Sequence, residues 1–168
     1  GMSSAPDGST PLPSGSVHRE LSRLAAQRHG VVTVADAMQA GLTPAQLRTA
    51  RRSGDWSSPV RGLLVAVAAP ATWEQECAIA VLATGGVLSH RAAARLHRLD
   101  GFDEAPCELT LPRGRSRAAV EVVMHRTATL DPADITEVSG LPVTSIARTL
   151  VDLGAVVDDD SVEQALDD

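Results

Sequence analysis

The sequence predicts an α+β protein in two domains, on three observations. Residues 16–53 carry three successive helix start and stop signals at short spacing. Residues 55–67 then change period and read as two short strands about a turn. From residue 70 two more helix signals give way to strand-like runs and a final helix.

Taken in order, residues 1–15 are rich in Ser, Pro and Gly, have almost nothing to bury and read as a disordered tail. Gly1 before Met2 reads as the remnant of a cleaved tag. Ser16 is placed to cap a helix whose apolar residues Val17, Leu21, Leu24 and Ala25 share a face, and Gly30 stops it. Thr33 with Asp36 three residues on opens a short helix over about 34–40, which Gly41 ends. The next start is the strongest. Thr43 stands at the N-cap, Pro44 at N1 and Gln46 at N3, a capping box with proline where its missing N–H is harmless. Leu42 and Leu47 are spaced as a hydrophobic staple, and Gly54 closes a helix over 44–53. The three-residue connection Gly41-Leu42-Thr43 has the length and chemistry of a helix-turn-helix turn. A hairpin turning near Ser58–Gly62 follows, where a winged variant carries its wing. Residues 16–68 therefore read as a winged helix-turn-helix.

Residues 69–168 read as a small α/β domain with an antiparallel sheet. Thr72 and Gln75 begin a helix that Gly85-Gly86 ends. Ser89 is read as the cap of a second, closed by Gly101. Strands are expected at Glu108–Pro112 and Ala119–Arg126, with a hairpin Ile135–Val138/Leu141–Val143 about Ser139-Gly140. A helix from Ser145 to about Leu153 comes next. Ser161-Val162-Glu163-Gln164 signals another helix start four residues before the end, which suggests a chain truncated at its C-terminus.

Composition sets limits. A 43% hydrophobic content suffices for a core, and with Trp56, Trp73 and Phe102 as the only aromatics that core is aliphatic. No run of 18 apolar residues is present, so no transmembrane helix is expected, and the N-terminus lacks the basic and apolar regions of a signal peptide. Cys77 and Cys107 form no CxxC and read as reduced core thiols of a cytoplasmic protein. All 15 basic residues are arginine, which excludes a phosphate loop ending in Gly-Lys, a Schiff-base lysine and a nuclease-type catalytic lysine. The net charge of −6 is uneven: seven Arg face four acids in residues 1–63, eight face seventeen in 64–168. The acidity belongs to the second part and says little of what the first part binds.

On the helix over 44–53, Leu47 and Ala50 should point inward with Arg51 at the edge of that face. Arg48, Thr49 and Arg52 lie on the outer face, with Gln46 near the N-terminal end. Arg and Gln are side chains able to read guanine and adenine edges bidentately. Thr43 and the free first-turn N–H groups suit a phosphate, and Arg61 sits where a wing touches DNA. The expected partner is double-stranded DNA. Arginines near a helix C-terminus also suit the helix dipole without a ligand, and a winged helix can bind protein. Arg113, Arg115 and Arg117, read as a basic hairpin loop, make a second phosphate contact or a solvated turn.

No catalytic, cofactor or metal site is expected. His90 and His97 lie on one helix face about 10 Å apart, too far to share an ion, and Asp100 near His97 lacks a third ligand. His18, His29 and His125 show no cluster in the sequence. Ser89-His90 lacks the strand-turn-helix of a nucleophile elbow, and Asp158-Asp159-Asp160 reads as an exposed loop.

The order RHGVVTVADAMQAGLTPAQLRTARRSGDW, VRGLLVAV and TWEQECAIAVLATGGVLSHRAAARLHRLDGF resembles the actinobacterial branch of AbiEi-type antitoxins. So does LTLPRGR…VVMHRTATLDPADITEVSGLPVTSIARTLVDLGAV, and the resemblance spans about residues 20–166. It implies an N-terminal winged helix that binds DNA, an α/β second domain and a non-enzymatic transcriptional regulator of a type IV toxin–antitoxin system. Such antitoxins repress their own operon and counter a nucleotidyltransferase toxin without a stable complex; a homodimer is compatible. Relatives of the branch that continue into a restriction-endonuclease-like domain imply the alternative, a DNA- or protein-targeting module of a larger protein.

Overall fold

Leucine and valine set at helical and strand spacing organise the first unit of this computed structural model, which describes residues 12–113, 120–127 and 129–167. The chain divides into two compact units at Pro70/Ala71. In the first, the elements run α1 (Ser14–Ala26), β1 (Val31–Thr33), α2 (Val34–Gln39), α3 (Pro44–Arg52), β2 (Trp56–Ser57) and β3 (Leu63–Ala66). The strands form an antiparallel sheet in the order β1-β3-β2, with Val32 opposite Leu64 and Trp56 opposite Ala66. This is a winged helix-turn-helix, and its core joins Leu21, Val32, Ala37, Leu42, Leu47, Trp56 and Leu64.

Two features of this unit depart from the sequence reading. β1 is absent from it, because three residues after Gly30 carry no period of their own and become a strand only by pairing with β3. The helix also begins at Ser14, not after Ser16, with Pro13 at the N-cap and no side-chain cap. Leu12 packs against the core. Residues 12–15 therefore belong to the folded unit, against the expected tail over 1–15; residues 1–11 lie outside the described residues.

The second unit runs α4 (Trp73–Thr84), β4 (Val87–Leu88), α5 (His90–Leu96), β5 (Glu108–Pro112), β6 (Val123–Thr127), a 3₁₀ turn at Pro132–Asp134, β7 (Ile135–Val138), β8 (Leu141–Thr144) and α6 (Ile146–Asp167). The α+β class holds, but the sheet is mixed where an antiparallel one was expected. Its order is β6-β5-β4-β8-β7, with β5–β6 and β4–β8 parallel. β5 and β6 pair in parallel, so no tight hairpin joins them, and most of the basic loop expected over Arg113–Arg117 lies outside the described residues. Arg113 is exposed at the end of β5, while Arg115 and Arg117 lie outside the described residues. β4, two residues long, was also unread; it exists through its bonds to β5 and β8.

Local signals place most of the rest. Thr72 caps α4 through the Gln75 N–H, and Gly85 ends it at φ 72°. Ser139 and Gly140 both have positive φ, the pair of left-handed positions a tight hairpin turn needs. Ser145 Oγ accepts from the Arg148 N–H at the start of α6. That helix continues through Ser161, so no new helix starts there; once a helix is propagating, a Ser within it adds a residue more cheaply than a new nucleus forms. Cys77 and Cys107 are free and buried. The neighbouring Cys107 and burial push the Cys77 thiol up from its ordinary value.

α4 meets β5 closely where Gly86 leaves room. A Cβ on Gly86 would lie 2.8 Å from Leu109 Cδ1 and 3.1 Å from both Leu111 Cδ2 and Thr84 Oγ1. Leu109 and Leu111 are fully buried, so their methyl groups shift only by disturbing the packed interior around them. Gly86→Ala is expected to destabilise the protein by about 1–3 kcal/mol through overpacking, read as a lower urea midpoint. Gly15→Ala, with nothing within 4 Å, is expected to leave the midpoint level or raise it.

Candidate nucleic-acid interface and a buried polar cluster

The turn between α2 and α3 delivers α3 with its inner face pinned. The Leu42 N–H donates to Ala37 O at 3.1 Å, and Leu42, Leu47 and Ala50 are all buried. The capping box is complete: Thr43 Oγ1 accepts from the Gln46 N–H at 3.2 Å, and Gln46 Oε1 accepts from the Thr43 N–H at 3.0 Å. Gly54 follows the C-cap Ser53 at φ 83°, reversing the chain into the wing. Trp56 anchors the wing root. It is buried, its indole N–H donates to His18 Nδ1 at 3.3 Å, and the two rings meet edge to face.

This framework leaves Arg48, Thr49, Arg51 and Arg52 exposed on α3, and Arg61 exposed in the five-residue wing tip between β2 and β3. Among the described residues none of these four arginines is in an ion pair. Arg51, expected at the edge of the inner face, is exposed like its neighbours. Thr49 Oγ1 donates to Ala45 O at 3.0 Å, which leaves its lone pairs and methyl group outward.

Gln46 has a structural task beyond the capping box read from the sequence: its Oε1 closes that box and its Nε2 donates to Leu12 O at 2.6 Å, which leaves one N–H and one lone pair of the amide uncommitted by these two bonds. The sequence shows the capping box but not Leu12, thirty-four residues away. Thr43 Oγ1 accepts within the capping box and keeps its hydroxyl proton to donate, while Pro44 has no N–H. Ala45 alone offers a first-turn N–H without a partner among the described residues, a weaker phosphate cradle than expected.

The second unit gathers polar side chains that the sequence reading left scattered. Alternation along β5 puts Glu108 and Thr110 on one face and Leu109 and Leu111 on the other. The parallel register sets His125 of β6 opposite Thr110. The Glu108 carboxylate, 4% exposed, accepts from His125 Nε2 at 2.6 Å through Oε1 and from Arg91 Nε at 2.9 Å through Oε2. His90 stacks on His125 with ring centroids 3.8 Å apart. Ser89 provides no helix-cap bond, contrary to expectation. Its Oγ lies 2.9 Å from His90 Nδ1 and accepts from Thr110 Oγ1 at 2.6 Å, so the neighbouring side chains outbid the helix N–H groups. His90 itself is held at φ 53°, a left-handed conformation that a non-glycine residue keeps only when its surroundings impose it.

His90, Glu108 and His125 thus form a cluster of metal-ligating types, whereas His97 turns away and meets Thr144 O at 2.7 Å. The signal available in sequence was the polar pair Glu108 and Thr110 within an otherwise apolar strand. Burial works to raise the Glu108 carboxyl, but the bonds from His125 and Arg91 outweigh it and hold the group below the usual carboxylate range. Burial and the nearby charge of His125 lower His90, Arg148 adds to this, and Asp152 and Glu108 oppose it.

A family model described as a transcriptional regulator, AbiEi antitoxin, matches residues 19–64. A search of the curated proteins gave no match. Among solved structures, the crystal structure of the RV2827C protein from Mycobacterium tuberculosis is similar at 25% identity with a TM-score of 0.43. That similarity covers 80% of this chain and 52% of the other, so the chain spans about half the length of that protein.

Both shifts in the second unit make acid destabilising. Above the ordinary histidine value of about 6.5, His90 is neutral folded or unfolded. Below it the unfolded chain takes up the proton first, so stability falls until folded His90 also protonates. Glu108 contributes fully above the ordinary carboxylate value and loses its contribution as the pH drops through its lower folded value. Thermal midpoints measured from neutral pH downward should decline in two limbs, and His90→Asn should flatten the upper one. Over residues 19–64, from within α1 to β3, this chain matches the AbiEi antitoxin family of transcriptional regulators.

Proposed function

We propose that this protein is a DNA-binding transcriptional regulator that represses its own operon as a type IV antitoxin does. One observation carries the reading: Arg48, Arg51 and Arg52 on α3, with Arg61 on the wing, stand exposed and without ion pairs among the described residues of an acidic protein. The family match over the same unit supports it. Arg48 and Arg52, one turn apart on the outer face, enter the major groove, where each guanidinium takes guanine O6 and N7. Thr49 lies between them with a methyl group suited to thymine. Arg51 and Arg61 meet phosphates, and Arg61 does so from the wing. Gln46 positions the start of α3 and keeps one amide N–H for a contact at the edge of the groove. The toxin countered is a nucleotidyltransferase, without a stable complex, and the site of action is the cytoplasm.

Arginine contacts release condensed counterions, so affinity for the protein's own upstream DNA should fall with salt at a log–log slope of about −0.9 per phosphate neutralised. Fluorescence anisotropy at two salt concentrations measures it. Arg48→Ala and Arg52→Ala are each expected to weaken specific binding by about 1–3 kcal/mol, and Arg61→Ala to reduce the slope by about one. Equal affinity of wild type and the Arg48/Arg52 double variant for that DNA would refute the assignment.

A further inference from the structure

We propose that His90, Glu108 and His125 form a binding site for one divalent transition-metal ion of the Zn²⁺ class, in the second unit and independent of any DNA contact. Two imidazole nitrogens and one carboxylate oxygen are a donor set that favours Zn²⁺ over the hard ions Mg²⁺ and Ca²⁺. One ligand atom from each residue lies within 4.8 Å of the others. The anchoring around them is what a metal site requires, since ligands are held by partners on their far atoms. His90 Nδ1 is engaged by Ser89 Oγ, itself bonded by Thr110, which leaves Nε2 as the ligand. Glu108 Oε2 is taken by the Nε and backbone N–H of Arg91, which leaves Oε1. The left-handed backbone of His90 directs its ring onto the sheet where Glu108 and His125 stand.

The ion would replace the proton now shared between His125 Nε2 and Glu108 Oε1. Zn–N and Zn–O distances of about 2.0–2.2 Å put tetrahedral donors about 3.3 Å apart. The widest pair must therefore close by at most about 1.5 Å. The stacked rings, 17° from parallel, do not aim their lone pairs at one point. Both adjustments fall to His125, whose side chain is 33% exposed and turns by giving up its bond to Glu108 and its stacking on His90, while Glu108 at 4% stays fixed. That exposed side is also the route of entry and leaves the fourth position to water, an open rather than a closed coordination shell. The Arg91 charge beside Glu108 weakens the site electrostatically. Three protein ligands with one positive neighbour call for a transition metal, which bonds imidazole, and not for a purely ionic cation.

Titration of the full chain with Co²⁺, followed by displacement with Zn²⁺, tests this. One equivalent should give the visible absorption of a four- or five-coordinate cobalt ion. His125→Gln and His90→Asn should each weaken binding at least tenfold, with His97→Gln as wild type. Circular dichroism identifies any variant that fails to fold. For that case, histidine nitrogen chemical shifts of the wild type on adding Zn²⁺ should move for His90 and His125 and not for His18, His29 or His97. No cobalt absorption, equal affinity in His125→Gln and wild type, or shifts confined to the other three histidines would each overturn the site.

Discussion

The burial of Leu47 is the constraint on which the exposed chemistry of the first unit depends. A helix of nine residues does not hold in water on its own propensity. α3 holds because Leu47 and Ala50 sit in a core with Leu21, Leu42 and Trp56, and because Thr43 and Gln46 close its first turn. Fixing that face fixes the opposite one. Arg48, Thr49 and Arg52 are outward because Leu47 is inward, and no side chain on the outer face stabilises the helix enough to choose its own direction. Gln46 shows the same hierarchy. A side chain of recognition chemistry serves the backbone first, where its two hydrogen bonds tie Leu12 and Thr43 to the start of α3.

The second unit has a different centre. Cys77, Leu88, Leu109, Leu111 and Val143 are all buried, yet β5 presents a buried carboxylate on the face opposite Leu109 and Leu111. Leaving Glu108 unpaired there would be costly, which is why its two oxygens are divided between Arg91 and His125. That division settles Ser89 and His90 in turn. Arg91 must follow immediately on a left-handed residue to reach Glu108 with both its side chain and its backbone N–H. The polar cluster is thus one connected arrangement across β5, β6 and the start of α5, and removing one member costs its neighbour a hydrogen bond.

What could be read from the sequence follows this division between local and distant causes. The boxes at Thr43 and Thr72, the glycines at 54 and 85 and the turn at Ser139-Gly140 are fixed by residues three or four apart, so the elements they bound are legible. β1 and β4 were not, because strands of three and two residues exist only through partners far along the chain. The cluster was hidden for the same reason. His125 meets Glu108 only if β6 runs parallel to β5, and a hairpin expectation over residues 113–117 points the other way. Ser89 was misread because its sequence context is that of a cap, while Thr110, twenty-one residues distant, decides where its hydroxyl goes.

Net charge is a poor guide to what such a chain binds, and the reason is screening. At physiological ionic strength charges more than about 8 Å apart are largely screened from one another. The total alone therefore does not set the field at any one patch of the surface. An acidic total has a separate consequence for a regulator. Non-specific attraction to DNA is almost wholly electrostatic and scales with the number of phosphates neutralised. Few cations on an acidic chain keep that background weak, while bidentate contacts from Arg48 and Arg52 would add free energy only at matching bases. The discrimination that matters in a genome is this difference rather than the absolute affinity. The contacts proposed for these arginines would draw on the all-arginine composition, since the planar guanidinium supplies paired donors that an ammonium lacks.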